Sequence, residues 1–168
     1  SGRFSRLVYV RANLGVRDVE GIGFLPDGIT EKVMHLSYPV IDALSVFMRD
    51  TDAKYMIQKG KIEISTLSLI RGRSLNNCFI LVDEASSISI SGMKALVTRV
   101  GTNSKLVVIG DPTMQCDLRL EPGQKDGLSD LLDRLKEKSI EDIEIIRFCN
   151  NDIVRSNVVR ELCSLYSV

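Results

Sequence analysis

"CFILVDEASS", residues 78–87, decides how the rest of the chain is read. It opens on an unbroken apolar run and ends in two adjacent carboxylates, Asp83 and Glu84, followed by small polar residues. An apolar run that does not alternate suits a strand covered by helices on both faces, as in a parallel sheet. The acids then stand where that strand runs out.

Outward from it, short β-rich runs alternate with longer segments of helical period. "RLVYV" (6–10), "KIEISTL" (61–67), "KLVVIG" (105–110) and "IEIIRF" (143–148) read as further strands. The alternation predicts one α/β domain over 1–168, a three-layer, mainly parallel sheet with helices on both faces. "FILV" and "LVVI" are expected to be central. The spacing predicts helices over 30–48, capped by Thr30 and kinked at Pro39, and from Thr51 to about Lys59, stopped by Gly60. Three more are predicted over 89–100, 126–138 and 152–166, the last capped by Asp152.

The totals exclude little. Lys plus Arg and Asp plus Glu are 22 each in 168 residues, so the overall balance announces neither a nucleic-acid nor a membrane partner. Cys78, Cys116, Cys149 and Cys163 form no C-x-x-C pair, and His35 is the only histidine, which argues against zinc. No run approaches the roughly 18 apolar residues of a membrane helix, and we expect a soluble, cytoplasmic protein with reduced thiols.

In nucleotide hydrolases of the P-loop type, a buried strand delivers an Asp that holds Mg²⁺, followed by a Glu that polarises the attacking water. "FILVDEA" has that form, although a strand ending in solvated acids is common. The next strand adds to it: "LVVIGDPTMQ" (106–115) ends in Gly110 and Asp111 and brings Gln115 into the following loop. Ligands of open parallel sheets bind beyond the carboxyl ends of the strands, so this loop is expected to face the same crevice as Asp83 and Glu84. Ordinary turn chemistry also explains Gly-Asp-Pro.

With these residues the chain resembles the PhoH-like proteins, P-loop ATPases related to superfamily 1 helicases. "GFLPDG" (23–28), "IEISTLSLIRGRSLNNCFILVDEASS" (62–87), "MKALVTRVGTNSKLVVIGDPTMQCDL" (93–118), "GQKDGL" (123–128) and "DIVRSNVV" (152–159) carry the resemblance in family order. It implies ATP binding and hydrolysis with Mg²⁺, RNA or single-stranded nucleic acid as partner, and a hexameric ring. It also implies Asp83 as the Mg²⁺ acid, Glu84 as the catalytic base, Gln115 as the γ-phosphate sensor, and Arg155 as an arginine finger toward a neighbouring subunit. A plain surface ion pair is the alternative account of Arg155.

The chain departs from the family pattern. "VRA" (10–12) keeps Arg11 but lacks the proline of a Thr-Arg-Pro segment, and "DEASS" keeps both acids but not the glutamine of a DEAQN-like one. No G-x-x-x-x-G-K-[ST] occurs in the 168 residues, so the phosphate-cradling loop and the first strand of the resembled fold are expected upstream of Ser1. That strand would lie between 105–110 and 143–148.

Among basic residues, Arg71 and Arg73 in "RGR" precede the apolar strand beside Ser74 and Asn76, a grouping that suits phosphate-backbone binding. With Arg11 they are the candidate nucleic-acid contacts, against a plain solvated loop. Lys125 is a candidate anion ligand ahead of a helix whose N–H groups are free, and Gly110 and Asp111 are the other nucleotide-binding candidates. Two functions remain open: an ATPase core acting on RNA, and a non-hydrolytic nucleic-acid-binding or assembly module that keeps the fold without turnover.

Overall fold

The computed structural model describes residues 2–12, 38–111, 120–121 and 123–166. Four strands, β1 (Arg6–Arg11), β2 (Ile62–Thr66), β3 (Cys78–Asp83) and β4 (Lys105–Val108), form one parallel sheet in the order β2-β1-β3-β4. The helices are α1 (Asp50–Gln58), α2 (Leu67–Ile70), α3 (Ile90–Val97), α4 (Gly127–Glu137) and α5 (Asn157–Tyr166), and residues 38–45 are also helical. The fold is thus α/β, a parallel sheet flanked by helices. The described residues group into two compact units, Ser1–Arg134 and Leu135–Val168.

Pleating explains the first unit's core. Side chains alternate across a strand, so Val8 and Val10 of β1 share a face with Cys78, Ile80 and Val82 of β3. Ile88, Met93, Leu96 and Leu128 close over them, with Leu131 and Leu132 packed at the edge. The other face carries Leu7, Tyr9, Phe79 and Leu81, and Leu44, Met48 and Met56 from the helical segments before β2 lie against its amino end. β3 is alternately buried and half-buried, because its second face is less completely covered by the described residues.

Local signals fix the helix ends. Ser89 accepts a hydrogen bond from the Gly92 N–H at 3.1 Å and starts α3. The predicted run to Val100 stops early, because Val100 leaves the helix to bridge Leu75 in parallel. Gly60 stands just beyond α1 at φ 66, the left-handed conformation expected of a stop. Thr30, His35 and Cys116 lie outside the described residues.

Two strand expectations change. β4 pairs only with β3, so it is an edge of the described sheet and its residues are half-buried at most. Residues 143–148 form no strand and are exposed. A ladder needs a neighbour for its N–H and C=O groups, and "IEIIRF" has none among the described strands. Later, Asp152 caps a short 3₁₀ turn, Asn150–Asp152, by accepting from the Cys149 N–H at 2.7 Å, which lowers its carboxyl pKa. α5 starts beyond it, with Ser156 Oγ accepting from the Val159 N–H at 3.4 Å.

Candidate functional site

The carboxyl ends of β1, β3 and β4 lie side by side in the sheet. Arg11 stands opposite Asp83 in the parallel register, and the Ala12 N–H donates to the Asp83 carbonyl at 3.0 Å. Beyond β3 the Ala85 N–H donates to the Ile109 carbonyl at 2.9 Å, drawing the acidic turn against the end of β4. Gly110 is required there for its size: a Cβ would lie 2.9 Å from the Ser86 nitrogen and from Leu128 Cδ2, and 3.1 Å from the Ala85 nitrogen. Asp111 follows, exposed. Gln115 lies outside the described residues.

Asp83 is held at both oxygens. The Tyr9 hydroxyl donates to Oδ2 at 2.8 Å and the Glu84 N–H donates to Oδ1 at 3.0 Å. Tyr9 is only 3% exposed, and its phenol is shifted well above the usual tyrosine range. Burial is the larger cause, followed by the hydrogen bond to Asp83 and that residue's negative charge. Tyr9 was not among the sequence candidates. Its signal was present, since a phenol in a buried strand needs an acceptor, but which acceptor depends on the β1–β3 register.

Glu84 occupies the left-handed region at φ 56, ψ 41, which costs a non-glycine residue on the order of 1–2 kcal/mol. Backbone strain of this kind gathers where function needs a particular side-chain position. The turn starts the 3₁₀ segment Ala85–Ser87. The Glu84 carboxylate makes no hydrogen bond or ion pair among the described residues. Arg11 Nε is buried and likewise has no acceptor among them.

Mg²⁺ commonly takes only one or two protein carboxylates, filling its octahedron with water and phosphate oxygens. Asp83 fits that role, because each of its oxygens accepts one hydrogen bond and keeps further lone-pair capacity. No group of three or more His, Cys, Asp or Glu able to hold a metal occurs among the described residues.

The remaining candidates are elsewhere. Arg71 and Arg73 lie on the approach to β3, and Arg73 reaches Glu63 near the amino end of β2, so Arg73 does not join Arg11 beside the acids. Five steps of about 3.3 Å each separate Arg6 from Arg11, the two ends of β1, by roughly 16 Å. Arg73 Nη1 is 2.5 Å from Glu63 Oε1, a bond that raises the guanidinium pKa, while Arg6 Nε is 3.4 Å from the other Glu63 oxygen. Arg73 is therefore a tie between the β3 approach and β2, whereas Arg71 is exposed.

Lys125 pairs with Asp133 at 2.6 Å. The N–H groups expected to be free for an anion are taken: Asp126 Oδ1 accepts from Leu128 and Ser129 at 2.8 and 3.0 Å, and Gly127 donates to the Ile88 carbonyl. A buried aspartate already occupies that helix end. Arg155 belongs to the second unit and is exposed.

A parallel α/β sheet with paired acids at the end of a buried strand is consistent with a P-loop NTPase-like domain. The family model for PhoH-like proteins matches residues 1–167, and the chain belongs to that family. It is 37% identical over 150 residues to Protein PhoH of Escherichia coli K12, covering 88% of this chain and 41% of that protein. To the PhoH-like protein of Synechocystis it is 35% identical over 165 residues, covering 96% and 47%. To that of Bacillus subtilis it is 31% identical over 166 residues, covering 99% and 50%. The chain spans about half the length of the curated relatives it matches.

Proposed function

We propose that this chain carries the metal-ordering and water-activating part of an ATPase that acts on RNA or single-stranded nucleic acid. The observation that supports it most is the divided treatment of two neighbouring carboxylates. Asp83 is fixed by Tyr9 and by the Glu84 N–H, as a ligand-orienting group must be, while the Glu84 carboxylate has no hydrogen-bond or ion-pair partner among the described residues.

In this reading Asp83 presents an oriented oxygen to Mg²⁺, which when bound with ATP offsets charge on the β- and γ-phosphates. Glu84 Oε accepts a proton from the water that attacks the γ-phosphorus, and the strained backbone holds it in place for that transfer. Gly110 lets the β4 end approach the acidic turn closely. Gln115 is proposed to meet the γ-phosphate from that loop, and Arg155 to reach a nucleotide on a neighbouring subunit of a hexameric ring.

The test is ATP turnover, with and without RNA, by the longest natural polypeptide containing these residues. Glu84→Gln is expected to lower kcat by about 10²–10⁴ with ATP still bound. Equal turnover by the two proteins removes Glu84 from the mechanism.

A further inference from the structure

Charge is distributed along the strands of this neutral chain with a strong polarity. In a parallel sheet every strand starts at the same end, so the segments that enter the strands share one rim. Those segments, residues 2–6, 59–61, 71–77 and 98–105, hold eight lysines and arginines and no acidic residue. They are also physically joined. The Ser5 N–H donates to the Asn77 carbonyl at 2.7 Å, Asn77 to Thr102 at 2.9 Å, and Leu75 to Arg99 at 2.9 Å.

Arg6 and Arg73 share the single carboxylate of Glu63. Lys61, Arg71 and Lys105 are exposed and have no carboxylate partner among the described residues. Between them stand Ser74, Asn76, Thr102 and Asn103, neutral groups of the kind that bind phosphate and sugar oxygens. Beside Arg6 and Lys61 the rim opens into an apolar cavity of about 320 Å³. Phe4 and Phe79 meet edge-to-face on its wall with centroids 5.7 Å apart, and the Arg3 guanidinium lies 5.5 Å from the Phe4 centroid.

Cations that track a backbone, next to an aromatic recess that can take a base, are the two components of single-strand recognition. A lipid surface would satisfy the charges but offers no planar group for the recess. We propose that the amino-terminal rim of the sheet binds single-stranded nucleic acid, with Lys61, Arg71 and Lys105 on phosphates and a base against Phe4 and Phe79. This surface is at the opposite end of the sheet from Asp83 and Glu84. It deepens the nucleic-acid half of the preceding reading and is independent of turnover.

The experiment is fluorescence anisotropy of a labelled 20-nucleotide oligo(U) on the complete natural protein, in EDTA and without nucleotide, across a salt series. Lack of ATP hydrolysis therefore cannot imitate lack of binding. The variant K61A/R71A/K105A, altered only at exposed positions, is expected to bind at least about tenfold more weakly and to flatten the log–log salt slope by about 2. Phe4→Leu should weaken binding while leaving that slope unchanged. Photo-crosslinking with 4-thiouridine should label residues 2–6, 59–61, 71–77 or 98–105. Wild-type affinity in the triple variant at every salt overturns the proposal, as does crosslinking confined to other segments. Preferential binding to phosphatidylserine vesicles over oligo(U) overturns it in favour of a membrane surface.

Discussion

Replacing Tyr9 by phenylalanine removes one hydroxyl, and the structure states what that hydroxyl does. It donates to Asp83 Oδ2 at 2.8 Å from a side chain that is 3% exposed. Hydrogen bonds to charged groups contribute about 1.5–3 kcal/mol, and the lower figure applies because water reaches the half-buried carboxylate once the phenol is gone. A loss of about 1.5 kcal/mol with an m-value of roughly 2 kcal/mol/M moves the urea midpoint down by about 0.75 M at pH 7. The pH dependence carries more information. Burial, then the bond to Asp83, raise the Tyr9 pKa above its unfolded value. That stability is fully present below pH ~10, the ordinary tyrosine value, and is lost as pH rises, because the unfolded chain releases the proton while the folded chain keeps it. By pH 11 the loss is about 1.4 kcal/mol for the wild type and absent from Tyr9→Phe. The two denaturation curves should therefore converge near pH 11, every other titrating group being common to both. Equal stability at pH 7, or a gap that stays constant to pH 11, would refute the assignment of Tyr9 as the buried donor to Asp83.

Two further substitutions test the turn and the packing around the acids. Glu84→Gly relieves the left-handed strain at φ 56 and should raise stability by up to about 1 kcal/mol in urea denaturation while abolishing ATP turnover; a clear loss of stability would mean the conformation is not strained. Gly127→Ala places a Cβ 2.6 Å from the Ser89 carbonyl oxygen and 2.8 Å from Met93 Cβ, both rigidly held, and should cost about 1–3 kcal/mol by thermal or urea unfolding. An unchanged midpoint there would show that the start of α4 can move away from the β3 turn.

The membership of the family and the class of fold were legible because they are written in local patterns. An apolar run without alternation makes a buried parallel strand wherever it occurs, and the Asp83–Glu84 pair marks its end. Helix caps such as Ser89 act within three residues, so they too can be read along the chain. No helix among the described residues is long and apolar enough to cross a membrane.

What sequence could not assign was partnership, which depends on register and on the ends of the sheet. Arg71 and Arg73 look alike in "RGR", yet one is exposed and the other is bound to Glu63, because β2 brings that carboxylate within reach of the β3 approach. Lys125 stands before a helix start that invites an anion, but Asp126 folds back onto those N–H groups. "IEIIRF" has strand composition, yet a strand is made by its neighbour, and the described sheet provides none. The sequence by itself determined which residues carry charge and which apolar runs could serve as strands. Only the tertiary structure decided that Tyr9 secures Asp83, that Glu84 has no partner among the described residues, and that the cations of the strand approaches gather at the far rim. Parallel pairing sets all strand beginnings at one end and all strand ends at the other, and no single segment of chain contains that fact.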